Sequence, residues 1–225
     1  MIGYPMAFSL RASYLGRIYD RLLQKHLLPH LEKSRLTPNQ MTLVGCGIAL
    51  LVPLGFFAHP LVGLLLILAS GLADSLDGLM ARRHRSASRF GAFLDSSLDR
   101  LSDFFYLCGF WVLFWNGNHQ RLAGLMVFTA LLTTVMISYL KARAEALGLA
   151  CQTGLMERGA RVIYLVVWAA LIGVMPAHRP LILWLGLFLY LGLTLGTVAQ
   201  RIRHVRRGLR TLQRNQEHAP PGTDA

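Results

Sequence analysis

Six stretches of the chain are apolar enough to cross a lipid bilayer. A helix needs about 20 residues to cross a hydrocarbon core of about 30 Å, and windows of that length select 40–58, 61–81, 92–115, 121–146, 158–176 and 180–200. Helices are expected because an open strand would leave backbone groups without hydrogen bonds in lipid. The sequence therefore predicts an all-α integral membrane protein with six transmembrane helices in one domain, residues 40–200.

Composition supports the membrane class and argues against a nucleic-acid-binding one. Of the 225 residues, 54% are hydrophobic and only 15% are charged, which departs from an average soluble domain. The net charge of +12 would suggest nucleic acid in a soluble protein, but basic and aromatic residues are not interleaved on a polar surface here. We expect a membrane-lipid environment and no nucleic acid partner.

The segments on either side of the six stretches differ from them. Residues 10–34 place leucine and isoleucine at helical spacing with arginine and lysine between, which is typical of an amphipathic helix on an anionic membrane surface. We therefore assign 1–39 to a juxtamembrane segment at the cytoplasmic surface. Residues 201–214 are a basic run and 215–225 have the composition of a disordered tail, so 201–225 forms a basic, partly disordered C-terminal segment.

The 23 lysines and arginines indicate the orientation. They concentrate before the first stretch, between the second and third, around the junction of the fourth and fifth, and after the sixth, whereas only Arg121 and Arg179 fall in the opposite loops. The positive-inside rule then places both termini and the loops 82–90 and 147–157 in the cytoplasm. A bacterial or archaeal plasma membrane is the expected location.

Five aspartates lie where the second and third stretches meet the cytoplasmic surface. Asp74 and Asp77 are spaced i, i+3, and Asp95, Asp99 and Asp103 are spaced i, i+4, i+8, so each set occupies one helix face. An unpaired carboxylate at membrane depth costs at least about 2.5 kcal/mol, so cations must compensate.

Two kinds of cation could compensate these aspartates. One is structural pairing with nearby arginines, namely Arg82, Arg83, Arg89 and Arg100. The other is Mg²⁺, which prefers a few carboxylates together with substrate phosphates. Clustering on two facing helices favours the metal, and Gly78 and Gly91 leave room for a ligand beside the backbone, although each could serve helix packing alone.

Eight of these positions match a known family pattern. Within 26 residues the chain fits D-x-x-D-G-x-x-A-R-x8-G-x-x-x-D-x-x-x-D at every spacing, with Asp74, Asp77, Gly78, Ala81, Arg82, Gly91, Asp95 and Asp99. This pattern resembles that of the CDP-alcohol phosphotransferases, and the six-span layout with a preceding surface helix is similar over roughly residues 10–200.

The resemblance implies a homodimeric membrane enzyme that transfers the phosphatidyl group of CDP-diacylglycerol to an alcohol and releases CMP. It implies that Asp74, Asp77, Asp95 and Asp99 hold two Mg²⁺ ions, with Mn²⁺ as a possible substitute, and that Asp99 also activates the acceptor hydroxyl. Two metals about 3.5 to 4 Å apart would neutralise the pyrophosphate and stabilise the leaving CMP.

The nucleotide side of this site is expected near the start of the first stretch. Gly78 would let the nucleotide approach the second stretch, Arg82 would reach a phosphate, and LTPNQMT resembles the family's nucleotide-side entry, so Pro38, Asn39 and Thr42 are expected to border the cytidine. Thr37-Pro38 is equally well explained as a helix start with Thr37 as the cap. The two interpretations are compatible.

A basic group around the junction of the fourth and fifth stretches predicts the acceptor site. Lys141, Arg143, Arg158 and Arg161 could hold an acceptor phosphate by charge-assisted hydrogen bonds, or could simply be positive-inside anchors. The phrases KARAE and ERGAR resemble the branch that makes phosphatidylinositol phosphate from inositol 1-phosphate. Glycerol 3-phosphate, giving phosphatidylglycerophosphate, is the alternative acceptor.

A second class of function is also compatible with intramembrane carboxylates, namely a small membrane protein that binds or transports cations. Its weak point is that the aspartates cluster at one face, with no acidic counterpart toward the other.

Overall fold

The computed structural model describes residues 14–27, 36–83, 88–115, 117 and 119–217, and these residues are helical with short connections and no strand. The helices, in chain order, are α1 (Tyr14–His26), α2 (Pro38–Leu50), α3 (Val52–Ala58), α4 (Pro60–Arg83), α5 (Arg89–Val112), α6 (Gln120–Ala146), α7 (Arg158–Val174) and α8 (Arg179–Glu217). A single 3₁₀ turn, Pro176–His178, precedes α8. The all-α prediction is confirmed.

Four helical segments of the described chain are long and apolar enough to cross a membrane: Pro38–Ala58, Pro60–Arg83, Gln120–Ala146 and Pro176–Arg214. They correspond to the first, second, fourth and sixth predicted stretches. α5 is 24 residues long but carries charged side chains along its first half, and α7 has only 17 residues and begins with Arg158. Membrane character is therefore supported for the chain, while the count of six spans stays a prediction.

The first segment contains a break between α2 and α3. α2 starts as one of the two sequence interpretations predicts, with Thr37 as N-cap in a capping box with Gln40 and Pro38 in the first turn. It ends at Leu50, and Pro53 lies in the first turn of α3. Proline has no N–H to donate to the preceding turn, so the helix is interrupted here.

The helices pack around one main hydrophobic core. α4 packs against α2, α3 and α7, α5 packs against α2, α3 and α6, and α8 packs against α6 and α7. Phe110 of α5 stacks on Trp168 of α7 with ring centroids 4.1 Å apart and planes inclined by 11°. Gly186 of α8 is required beside this tryptophan, because an added Cβ would lie 2.0 Å from the Trp168 Nε1. This core fixes α5 and α7 relative to each other.

α1 lies beside the end of α4 that carries the aspartates. Leu23 is buried there in a small cluster with Met41, Ala73, Leu76, Leu79 and Met80. The described helix covers Tyr14–His26, and the rest of the predicted 10–34 helix lies outside the described residues except for Leu27. Its position on a membrane surface stays a prediction.

α8 does not end with the apolar stretch. It continues without interruption to Glu217, so the basic run from residue 201 extends the same helix that carries the last apolar stretch. Residues 218–225 lie outside the described residues.

Candidate functional site

Three of the four predicted metal ligands converge. Asp74, in the second half of α4, and Asp95 and Asp99, in the first half of α5, each offer one carboxylate oxygen, and these oxygens lie within 4.8 Å of one another. Both helices pack against α2, which holds the two acidic faces together. Three hard oxygen donors at this separation suit Mg²⁺ or Mn²⁺.

Asp77 lies one turn further along α4 and lines the same cavity as the other three aspartates. Its side chain is buried, at 6% exposure. Its Oδ2 is buried and has no hydrogen-bond partner among the described residues. Because a buried carboxylate oxygen is costly without a partner, this atom fits a role as a metal ligand.

Arg158 is a cation that contacts the cluster. Its guanidinium lies 2.5 Å from Asp74 Oδ1 through Nη1 and 2.8 Å from Asp99 Oδ1 through Nη2. The sequence predicted Arg158 at the acceptor phosphate and offered other arginines as structural partners of the aspartates. Arg82 instead lies 4.0 Å from Asp20 of α1, and Arg100 donates to the backbone oxygen of Ser96.

A second ion pair lies one turn deeper. Arg161 Nη2 is 2.6 Å from Asp103 Oδ2, and Arg161 Nη1 donates to the Met156 carbonyl at 3.0 Å. Arg161 is 2% exposed and Asp103 4% exposed. Asp103, which the family pattern does not contain, therefore has a buried arginine as its partner.

The carboxylates and several arginines face one cavity of about 840 Å³. Polar residues from six helices and from the loop before α7 line it: Tyr19, Asp20, Asp74, Ser75, Asp77, Asp95, Ser96, Asp99, Arg100, Asp103, Ser138, Lys141, Glu157, Arg158, Arg161 and Arg201. Apolar side chains of α4 and α7, among them Ile67, Leu68, Ile163 and Val166, line another part of the wall. A charged head group and an apolar tail could therefore be accommodated together.

The predicted nucleotide residues surround the aspartates unequally. Gly78 lines the large cavity, whereas Thr42 lines a small pocket beside Asp74 and Asp99. Asn39 reaches α5, since a Cβ added at Gly91 would lie 3.0 Å from its Oδ1. Gly91 therefore permits close approach of α2 to the start of α5. Arg82 is about half exposed and Pro38 is partly buried at the start of α2.

The predicted acceptor residues are also divided. Lys141, Arg158 and Arg161 line the cavity. Arg143 is exposed in the last turn of α6 and is not among the lining residues. Its role in phosphate binding stays a prediction from the sequence alone.

Arg201 is a cavity residue that sequence analysis missed. It was assigned to the basic C-terminal segment, but it is only 2% exposed, and it donates to the Thr153 carbonyl at 2.9 Å and to the Ile137 carbonyl. Because Arg201 begins a run of basic residues, the burial of its side chain was not evident from the sequence. The signal that could have found it is its position one turn after Thr197, which is buried on the same helix face.

Comparisons with known proteins agree with this geometry. A family model described as CDP-alcohol phosphatidyltransferase matches residues 35–193. An archaetidylinositol phosphate synthase of Methanothermobacter thermautotrophicus is 37% identical over 146 residues, covering 64% of this chain and 72% of the relative. A phosphatidylinositol phosphate synthase of Mycobacterium bovis is 36% identical over 178 residues, covering 76% of this chain and 79% of the relative.

Solved structures are similar over most of the chain. A crystal structure of the Mycobacterium tuberculosis phosphatidylinositol phosphate synthase with CDP-DAG bound is 32% identical, with a TM-score of 0.67, and the match covers 84% of this chain and 94% of that one. Another crystal structure of that enzyme, in complex with manganese and citrate, is 30% identical, with a TM-score of 0.66 and coverage of 92% and 91%.

Proposed function

This chain belongs to the CDP-alcohol phosphatidyltransferase family, and we propose that it transfers the phosphatidyl group of CDP-diacylglycerol to inositol 1-phosphate, giving phosphatidylinositol phosphate and CMP. The observation that carries the proposal is the convergence of the motif aspartates on a cavity that also has buried arginines in its wall. The similar structure with CDP-DAG bound supports the donor, and the names of the relatives support the acceptor.

The donor is proposed to bind at the α4–α5 side of the cavity. Asp74, Asp77, Asp95 and Asp99 would hold two Mg²⁺ ions, for which Mn²⁺ could substitute. Bound there, the ions would neutralise the pyrophosphate charge and stabilise the departing CMP phosphate. Around the nucleotide we place Gly78, Arg82, Pro38, Asn39 and Thr42.

The transfer step assigns Asp99 as the general base. Its carboxylate takes the proton of the acceptor hydroxyl as that oxygen attacks the phosphorus bonded to diacylglycerol. The bond from this phosphorus to the bridging oxygen of CMP breaks, and the electron pair leaves with CMP. Asp99 lines the cavity, is one of the clustered aspartates and pairs with Arg158, so it borders both the proposed donor site and the proposed acceptor site.

The acceptor phosphate is proposed to bind at the basic side of the cavity, to Lys141, Arg158 and Arg161, and the sequence alone adds Arg143, which does not line the cavity. Arginine suits a phosphate because its planar guanidinium can donate two parallel hydrogen bonds. Glycerol 3-phosphate presents the same dianion and is the second candidate acceptor. The inositol phosphate ending of the relatives' names favours inositol 1-phosphate.

The proposed arrangement in the membrane keeps all six predicted helices as spans. α5 would cross with its acidic first half at the cytoplasmic surface, where the charged residues pair across the cavity. Both termini and the active site would face the cytoplasm of a bacterial or archaeal cell, and the protein would act as a homodimer. Clustering of arginine and lysine on that side supports this topology.

The test is CMP release by the purified protein with CDP-diacylglycerol, Mg²⁺ and a panel of acceptors. Inositol 1-phosphate should outcompete glycerol 3-phosphate, serine and unphosphorylated inositol when they are mixed at equal concentration. Preference for another alcohol would replace the acceptor and retain the transferase. Absence of CMP release with every acceptor, together with cation flux into vesicles that contain the protein, would favour the cation-transport alternative.

A further inference from the structure

Two ion pairs connect α5 and α7, and they lie one helix turn apart. The first joins Asp99 to Arg158 at 2.8 Å, and the second joins Asp103 to Arg161 at 2.6 Å. Asp99 and Asp103 are spaced i, i+4 on α5, and the arginines are spaced i, i+3 on α7, so both pairs lie on facing helix surfaces. The two ion pairs differ in whether a metal or a substrate competes for their charged groups.

The Asp99–Arg158 pair cannot be permanent if the proposed function is right. Asp99 and Asp74, the two carboxylates that Arg158 contacts, are also metal ligands in that proposal. Arg158 and the acceptor phosphate must likewise meet during turnover. In that proposal the residues of the Asp99–Arg158 pair exchange partners during the reaction, so this pair is not suited to fix the position of α7.

The Asp103–Arg161 pair has no such competitor among the described residues. Both side chains are nearly fully buried, and Arg161 uses a second nitrogen to hold the Met156 carbonyl in the loop that leads into α7. The N-cap of α7, Glu157, makes no side-chain capping bond. Arg161 thus stabilises the first turn of α7, which carries Arg158, through its bonds to Asp103 and to the Met156 carbonyl.

We propose that Asp103 is a positioning residue, which acts through Arg161 to hold the first turn of α7 against α5 and so keeps Arg158 aimed at the acceptor phosphate. This inference rests on the proposed function and adds to it a residue outside the family's aspartate pattern. Asp103 itself touches neither substrate nor metal in this assignment. Arg161, which is also proposed at the acceptor phosphate, then has a structural role as well, since two of its nitrogens are bonded to protein oxygens.

Asp103→Asn separates this role from direct phosphate binding by Arg161, because the two predict opposite signs. Loss of the carboxylate frees Arg161, so a purely ligand-binding Arg161 would bind inositol 1-phosphate as tightly or more tightly. A positioning role predicts weaker binding, by about tenfold, which is the loss of roughly one charged hydrogen bond from Arg158.

The experiment measures the equilibrium binding of inositol 1-phosphate by calorimetry without CDP-diacylglycerol, and then KM and kcat. Asp103→Asn should raise the dissociation constant and the acceptor KM about tenfold while changing kcat and CDP-diacylglycerol affinity by less than about threefold. Asp103→Glu keeps the charge and should recover most of the lost affinity. Thr133→Val is the control, since it removes a buried hydrogen bond to Thr194 between α6 and α8, neither residue lines the cavity, and acceptor binding should be unchanged.

Unchanged or tighter inositol 1-phosphate binding by Asp103→Asn would overturn the proposal, as would an equal loss in Thr133→Val. If Asp103→Asn does not fold, Asp103→Leu combined with Arg161→Met removes both buried charges and is measured instead. That double variant must also bind the acceptor more weakly, and wild-type binding by it would overturn the proposal. Failure of the wild type to bind inositol 1-phosphate at all would instead contradict the proposed acceptor.

Discussion

The α4–α5 side and the α7–α8 side of the cavity have opposite chemistry. α4 and α5 contribute the four motif aspartates, whereas α7 and α8 contribute Arg158, Arg161 and Arg201. The acidic side follows a dense local pattern in the sequence, and the basic side comes from residues spread over two helices. This difference suggests a division of labour, in which the acidic side handles the donor through metal and the basic side recognises the acceptor. Substitutions on the two sides should then change different kinetic constants.

The largest effect is expected on the acidic side. Asp95→Asn or Asp77→Asn should reduce turnover by at least about a hundredfold at saturating Mg²⁺, because loss of one carboxylate weakens the metal site at which transition-state charge is stabilised. A chelator added to the wild type should stop CMP release as well. Glu145→Gln, an exposed acid outside the cluster that pairs with Lys141, is the control and should retain turnover at saturating acceptor. Near-normal turnover by an aspartate variant would remove that residue from the metal site.

A change at Asp99 should affect chemistry more than binding. Asp99→Asn is expected to lower the single-turnover rate by about 10² to 10⁴, which is the usual contribution of a general base, with a smaller change in CDP-diacylglycerol affinity. Rapid-quench measurement of CMP formation, compared with equilibrium donor binding, separates the two. A proportional loss of donor binding would make Asp99 chiefly a metal ligand.

On the basic side, Arg158→Ala should raise the acceptor KM by about tenfold to a hundredfold, since a charged hydrogen bond to phosphate contributes about 1.5 to 3 kcal/mol. Arg161→Ala and Lys141→Ala should act in the same direction but less strongly. CDP-diacylglycerol affinity should stay nearly constant in all three. Arg143→Ala is the informative comparison, because this arginine does not line the cavity. If the substitutions change the protein yield or the membrane topology but leave the acceptor KM unchanged, these three basic residues serve only as positive-inside anchors.

The smallest effect is expected from loss of the Thr42 hydroxyl, which lies beside the acidic side of the cavity. Thr42 donates to the Pro38 carbonyl at 3.1 Å and lines a small pocket beside Asp74 and Asp99. Thr42→Val keeps the shape and removes the hydroxyl from this pocket, so donor affinity should fall by about twofold to tenfold, as for one neutral hydrogen bond. Titration of CDP-diacylglycerol at fixed inositol 1-phosphate measures it. A change in acceptor KM instead would contradict the division between the two sides.

Sequence alone determined the elements of the acidic side, because they depend on local order. Hydrophobic windows predicted the helices, the Thr37-Pro38 start of α2 was correctly read as a cap, and the spacing of the aspartates already placed each set on one helix face. Membership in the family was also evident from that short pattern, and the comparisons confirm it. Periodicities of three to four residues are visible in a sequence whatever the rest of the fold does.

Only the tertiary structure decided which cation meets which aspartate. Arg158 is 84 residues from Asp74, and Arg161 is 58 residues from Asp103, so neither pair has a local signature. The same is true of Arg201, which looked like part of a solvated basic run until the packing of α8 buried it. The charges alone would allow many pairings between arginines and aspartates. Packing of the hydrophobic core fixes the rotation and position of α5, α7 and α8, and this determines which pairings form.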